Sequence, residues 1–350
     1  MEDPAAPAGC HHIDDPTRVG KFPLVDGLKN RLELTGGIGS HFLINEVRLD
    51  RFITLNVVRP LRSVVPSLKS SGSSLPILMY HSISDRDESG VRDYFKVCTS
   101  PERFRLQMKT LKENGWTGVD LESALARLNE DPTNKARLVA ITFDDGFYDF
   151  YTEAMPVLKE HGSGATMYLP TDFIQDERRS FKGIDCMTWS EVRKCQPMGI
   201  RFGSHTRSHP KLYDLPWPEI ELELQNSREE LENQLGQPAL GFAYPYAYPE
   251  ADRAFCGRFL EVLTGTGYRS CVTTIAGRVA REDDAYSLRR LPMNGTDDAN
   301  LLLAKLDGAY DWMEPAQRTF KAFKQLLPGR SRSVKLSLPK AGTPDSAGRQ

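Results

Sequence analysis

From residue 75 onward the chain repeats one unit: a short, almost wholly apolar run, a polar or glycine-rich loop, then a helical stretch. The apolar runs are residues 75–80 (LPILMY), 138–143 (LVAITF), 165–169, 199–202, 239–244 and 270–274. Helices are expected over 101–114, where Phe104, Met108 and Leu111 share a face, over 156–161 before Gly162, and over 218–235 before Gly236. A strand that is apolar on both sides needs cover on both sides, and helical crossovers supply that cover while making neighbouring strands parallel. The pattern predicts an α/β fold in which a parallel sheet closes, or nearly closes, into a barrel. Reacting groups in such barrels sit on the loops after the C-terminal strand ends, so catalytic residues should fall directly behind these runs.

Three segments meet that demand. Thr142-Phe143-Asp144-Asp145-Gly146 follows the second run, and its simplest reading is an Asp-Gly turn that caps the next helix. Gly203-Ser204-His205-Thr206-Arg207-Ser208-His209-Pro210 follows the fourth. Two histidines four apart are most often incidental, but on a helical turn both imidazoles reach one ion. Two nitrogens and one carboxylate suit a borderline ion such as Zn²⁺, Co²⁺ or Ni²⁺ and leave positions for water and substrate. Phe242-Ala243-Tyr244-Pro245-Tyr246-Ala247-Tyr248-Pro249 follows the fifth run. By itself it reads as a packing loop; in a sugar site, Tyr244, Pro245 and Tyr246 offer flat apolar surface to a pyranose and a stiff backbone N–H to an oxyanion.

TFDDG, SHTRSH and YPY in this order, preceded by PILMYHSI at 76–83, resemble the polysaccharide deacetylases, also called carbohydrate esterase family 4, over residues 75–300. The resemblance implies a distorted (β/α)7 barrel. It implies a divalent metal on Asp145, His205 and His209, with Asp144 as general base; from the donor set Zn²⁺ is expected first and Co²⁺ or Ni²⁺ next, and the Tyr246 N–H is the expected oxyanion donor. The PILMYHSI opening, the FAYPY form and the AKLDGAYDW stretch at 304–312 are similar to the branch acting on exopolysaccharide or surface-glycan precursors. Two positions depart from the family pattern. Ala243 stands where an arginine usually holds the base, and no histidine follows His209, so the late Leu-x-His that often supplies the general acid has no counterpart in 287–292 (SLRRLP). His81 is the replacement acid on this reading, and Arg289 or Arg290 takes over the orienting role.

Composition sets the boundaries of that reading. In 350 residues, 45 Lys+Arg face 47 Asp+Glu, a formal charge of −2 that creates no field for nucleic acid, and none is expected as a partner. Residues 1–74 read as an extension ending in a Ser-Gly linker, with alternating runs over 41–58 that suit strands; 75–312 form the catalytic domain and 313–350 a basic helix and tail. That tail, with Phe320, Phe323, Leu326 and Leu327 among lysines and arginines, reads as a docked terminal helix or as a peripheral membrane contact. Six scattered cysteines without a C-x-x-C pair read as reduced thiols. With no secretion-signal pattern and no run of 18 apolar residues, the expected location is cytoplasmic, with membrane association through the tail. The expected function is metal-dependent removal of N-acetyl groups from an amino-sugar polysaccharide, glycan precursor or glycolipid. Hydrolysis of a non-sugar C–N amide bond, or an inactive glycan-binding homologue, are the alternatives.

Overall fold

The computed structural model describes residues 48–65, 74–91, 95–131, 134–317 and 319. Eight strands make the main sheet: β1 (Ile77–Tyr80), β2 (Thr117–Val119), β3 (Leu138–Phe143), β4 (Ala165–Leu169), β5 (Ile200–Ser204), β6 (Gly241–Ala243), β7 (Ser270–Ala276) and β8 (Leu288–Pro292). Seven close into a parallel ring in the order β1-β3-β4-β5-β6-β7-β8, and β8 pairs back onto β1. The eighth, β2, shares one edge of β3 with β4: β2 pairs with residues 138–140 and β4 with 142–143. The expected (β/α)7 barrel is thus the fold.

The alternation of side chains along a strand divides β3 cleanly. Val139, Ile141 and Phe143 join the large apolar cluster beneath the surrounding helices. Ala140 turns the other way, into a smaller cluster with Ile77, Tyr168, Ala243, Val272 and Leu288 from five other ring strands. Leu121, Ala124 and Leu128 of the helix Leu121–Glu130 join this smaller cluster. Room inside is set by small residues. A Cβ on Gly203 would lie 2.6 Å from Tyr168 Cε1 and 2.7 Å from the Gly241 carbonyl, so only glycine at that point of β5 lets the tyrosine ring fill the barrel.

Strand β8 was not among the expected apolar runs, and the reason is physical. Its LRRLP sequence breaks the apolar rule with two arginines, one of which, Arg290, is fully buried. The helices follow their local signals. Ser100, Asp120, Asp252 and Asp298 each accept a backbone N–H at a helix start, Thr188 and Glu191 form a capping box, and Gly236 ends Trp217–Leu235 in the left-handed region.

The strands expected within 41–58 are not there in the described part. Residues 49–64 are helical: α1 (Leu49–Ile53), a π-helical turn (Thr54–Val58) and α2 (Arg59–Val64). Ile53, Leu55 and Val57 alternate as a strand's residues would, but the exposed apolar residues Leu49, Phe52, Val57, Leu61 and Val64 recur at three- to five-residue intervals, which is a helical period. Arg48 clasps this stretch to the loop behind β8. Its guanidinium reaches Asp297 (2.7 Å), Thr296 (2.6 Å) and Asp50, and Tyr310 donates to Asp50 (2.7 Å). Buried Lys305, on the helix Ala299–Leu306, donates to the other oxygen of Asp297 (2.8 Å) and to the Pro292 carbonyl. The expected basic helix of 318–340 lies outside the described residues, Thr319 apart. No helix among the described residues is long and apolar enough to cross a membrane.

Removing one partner of a buried ion pair leaves the other charge uncompensated. Arg48→Met should therefore cost about 3 kcal/mol, read as a lower urea midpoint, whereas Arg127→Met, at an exposed pair with Glu130, should leave the midpoint unmoved. Burial pushes the Asp50 carboxyl up, but the bond and charge of Arg48 outweigh this and hold it below its ordinary value. A depressed carboxyl stabilises above its unfolded pKa of about 4 and loses that contribution as pH falls through the lower folded value. Asp50→Asn should accordingly narrow its stability gap from the unaltered chain as the solution is acidified.

Candidate active site

The loops behind β3 and β5 meet at the C-terminal end of the ring. Behind β3 the chain enters the left-handed region at Asp145 (φ 75°) and Gly146 (φ 66°). This reversal sends two adjacent carboxylates to different partners. Asp144 stays in the barrel, where Arg290 grips both its oxygens at 2.8 and 2.7 Å. The same guanidinium donates to the Thr273 carbonyl (3.0 Å) and to the Thr142 hydroxyl (3.3 Å). Burial pushes the Asp144 carboxyl up; the Arg290 charge, with His205 and His81 behind it, outweighs this and keeps it below the usual carboxylate range. Of the two arginines considered for orienting the base, geometry selects Arg290. Arg289 pairs instead with Asp283 and Glu314.

Asp145 turns to the histidines. Its Oδ1 is 3.3 Å from His209 Nε2 and 3.6 Å from His205 Nε2, and the two Nε2 atoms are 3.2 Å apart. The expected helical turn for SHTRSH is absent. His205 to Pro210 form a loop in which Thr206 (φ 67°) and His209 (φ 57°) are both left-handed. The His209 N–H donates to the Thr206 hydroxyl, the Thr206 N–H to the Ser204 hydroxyl, and the Glu223 carboxylate accepts from the N–H groups of Arg207 and Ser208. Side-chain bonds therefore replace the helical ladder and still bring the histidines edge to face.

The donor set fits a divalent cation. His205 Nδ1 lies 2.8 Å from the Ala243 carbonyl, an acceptor only, so that nitrogen carries the proton and Nε2 turns its lone pair to the cluster. Burial pulls His205 down to about 4, so it is neutral near pH 7, as a ligand must be. Asp145 Oδ1 is buried without a hydrogen-bond partner, and one donor atom from each of Asp145, His205 and His209 lies within 4.8 Å of the others. Two imidazole nitrogens and a carboxylate oxygen converging on one point are the donor set of a metal site.

Around this cluster, His81 Nε2 stands 4.0 Å from Asp144 Oδ2, partly buried, and burial holds its pKa below the ordinary value despite both carboxylates. Tyr246 (φ 59°) is 44% exposed with its ring 4.8 Å from His209. Tyr244 does not reach the site: it is buried against Tyr248 and Phe259 beneath the helices. Pro245 is buried between them in sequence.

Sequence reasoning missed Lys182. It sits in the turn of a hairpin, Ser180–Phe181 with Ile184–Asp185, and its ammonium is 3.3 Å from Asp145 Oδ2. Phe181 anchors the hairpin against His209 and Phe173. The legible signal was Lys182-Gly183 between apolar residues, a two-residue hairpin loop. Of the seven non-glycine residues with left-handed φ among those described, five (Asp145, Lys182, Thr206, His209 and Tyr246) surround this cluster. Such backbone is costly and persists where packing enforces it.

Known proteins are similar in sequence and fold. The sequence profile described as polysaccharide deacetylase matches residues 131–269. YxkH of Bacillus subtilis, whose name calls it a polysaccharide deacetylase, is 30% identical over 219 residues, covering 63% of this chain and 71% of its own. The poly-beta-1,6-N-acetyl-D-glucosamine N-deacetylase of Staphylococcus epidermidis is 22% identical over 258 residues, 69% of this chain and 86% of its own. Among solved structures, the Streptococcus pyogenes deacetylase PplD in complex with acetate superposes with a TM-score of 0.58 at 25% identity, covering 67% of this chain and 99% of its own. IcaB from Ammonifex degensii shares the fold with a TM-score of 0.55 at 23% identity, over 67% of this chain and 97% of its own. The barrel, the site geometry and these relatives together establish that the chain belongs to the polysaccharide deacetylase family, a class of hydrolases.

Proposed function

We propose that this chain removes N-acetyl groups from an amino-sugar glycan, polymeric or lipid-linked, with Asp145, His205 and His209 holding a divalent ion, Zn²⁺ first. The observation that carries the reading is the pair of carboxylates one residue apart: Asp144, kept ionised by the two-point grip of Arg290, beside Asp145 within the two-histidine cluster. The S. epidermidis relative is named for a polymer of N-acetylglucosamine, which favours that substrate class.

An ion bound there supplies a polarised acetamide carbonyl and a water acidic enough to ionise near neutral pH. The chain's own residues do the rest. Asp144 accepts the proton of the attacking water, and Arg290 fixes its orientation. His81, neutral at rest and 4.0 Å from Asp144, takes that proton onward to the departing amine. The Tyr246 N–H, for which no hydrogen bond is made among the described residues, serves the oxyanion, and the exposed Tyr246 ring gives the pyranose a platform. Tyr244 and Pro245 support that loop from beneath rather than touching sugar.

Acetate release from N-acetylglucosamine oligomers, measured after chelation and after adding back Zn²⁺, Co²⁺ or Ni²⁺, tests the reading. Release should return with metal, and its absence from metal-loaded protein on every N-acetylated glycan tried would overturn the proposal. Asp144→Asn should lower kcat by about 10²–10⁴ with bound metal unchanged; undiminished turnover would remove it as base. His205→Ala should lose the metal itself, read by competition with a chromogenic chelator. His81→Ala should reduce kcat by about 10² with KM and metal content little altered. Arg290→Met strands a buried carboxylate, so a loss of about 3–5 kcal/mol in folding stability should accompany its fall in kcat, and Arg290→Lys should recover part of both.

A further inference from the structure

The helical stretch ahead of the barrel is turned inside out. Two of its polar side chains face the protein: Asp50 and Thr54 are buried, bonded to Arg48, Tyr310 and Trp312. Ile53, Leu55 and Val58 are half-buried, and five large apolar side chains face outward: Leu49 is 66% exposed, Phe52 51%, Val57 42%, Leu61 49% and Val64 78%. These positions step by three, five, four and three residues. Steps of three and four keep to one side of an α-helix; a step of five would carry Val57 off that side. The five-residue step coincides with the π-helical turn Thr54–Val58, where the Arg59 N–H reaches back five residues to the Thr54 carbonyl. A π turn takes up the extra residue, so the stripe stays in line along the whole stretch.

Charge narrows what covers it. Residues 51–64 include Arg51, Arg59 and Arg62 and no acid. Arg51 is paired with Asp298, Arg62 donates to the Asp307 carbonyl, and Arg59 has no carboxylate partner among the described residues. An exposed apolar stripe with arginines and no acid along its length is the build of a helix that lies in the interface of an anionic bilayer, with apolar side chains among the acyl chains and cations at the headgroups. We infer that this face docks on an anionic phospholipid surface.

The docking has a direction. Arg48 and Arg51 fasten the first turn to residues 294–298, the loop behind β8, and β8 carries Arg290. The stripe thus begins at the rim where the catalytic loops open, and the bilayer it contacts lies beside the site. That this serves a lipid-linked glycan rests on the deacetylase reading; the lipid contact itself does not.

The test is flotation of the full chain with phosphatidylcholine vesicles and with mixed phosphatidylcholine and phosphatidylglycerol vesicles. Binding to the mixed vesicles that weakens with salt and is poor on phosphatidylcholine alone is expected. The triple variant Phe52→Ser, Leu61→Ser, Val64→Ser should lower partition by about ten-fold or more. Arg59→Gln with Arg62→Gln should lower it by about ten-fold or more on the anionic vesicles alone. Because these side chains project outward, the thermal midpoint and acetate release from soluble oligomers should hold in the triple variant, which separates a failure here from a failure of the catalytic reading. Absence of binding to anionic vesicles would overturn the inference. So would unchanged partition of the triple variant, which would assign lipid binding to another segment. A triple variant that turns a dimer into a monomer by light scattering while still binding lipid would also overturn it, by making the face an interface between copies.

Discussion

A guanidinium and a carboxylate buried together inside a barrel are expensive to desolvate, and they are tolerated only where nearly every donor and acceptor is met. Arg290 and Asp144 satisfy that condition through two mutual bonds, the Thr273 carbonyl and the Thr142 hydroxyl. The surroundings follow from it. Ala140, Ala243 and Gly203 leave space within the ring, Tyr168 fills what remains, and the carboxylate stays ionised next to the cluster where it would act. Where the family resemblance implies an arginine, residue 243 is alanine, and its backbone carbonyl, which any residue there would offer, orients His205.

The sequence was most legible where local physics and global fold agree. The apolar runs that became β1, β3, β4, β5, β6 and β7 are buried on both sides, and TFDDG and SHTRSH fall behind strands as an α/β barrel requires. It was least legible where one interaction overrides a local rule. LRRLP does not read as a barrel strand because the guanidinium that disqualifies it is compensated by an acid 146 positions away. Tyr244 and Tyr246 are equivalent in the YPY motif, yet the left-handed backbone at Tyr246 sends one ring outward and leaves the other in the core. For Lys182 only the hairpin turn is legible; its place beside Asp145 comes from that hairpin reaching over the cluster, not from a neighbour in sequence.

Residues 49–64 illustrate the opposite error. Ile53, Leu55 and Val57 alternate as a strand's residues would, and the helical rhythm lies in the exposed set, whose five-residue step spans the π turn Thr54–Val58. The burial pattern then reverses the usual rule for a surface helix, because Arg48, Asp50, Thr54 and Tyr310 supply polar cohesion where apolar packing would be expected.

Strand β8 is the last of the ring to leave the ribosome, and it brings the cation on which Asp144 depends. A nascent chain ending before residue 288 carries the residues of β1 to β7 but has neither the closing strand nor the guanidinium, so its carboxylate has reason to take up a proton or to remain in water. Contacts of such long sequence separation form late, after the entropy of closing the intervening chain has been met. The order of synthesis therefore matters as well as geometry: the same event that seals the cylinder also brings the Asp144 carboxylate its counter-charge.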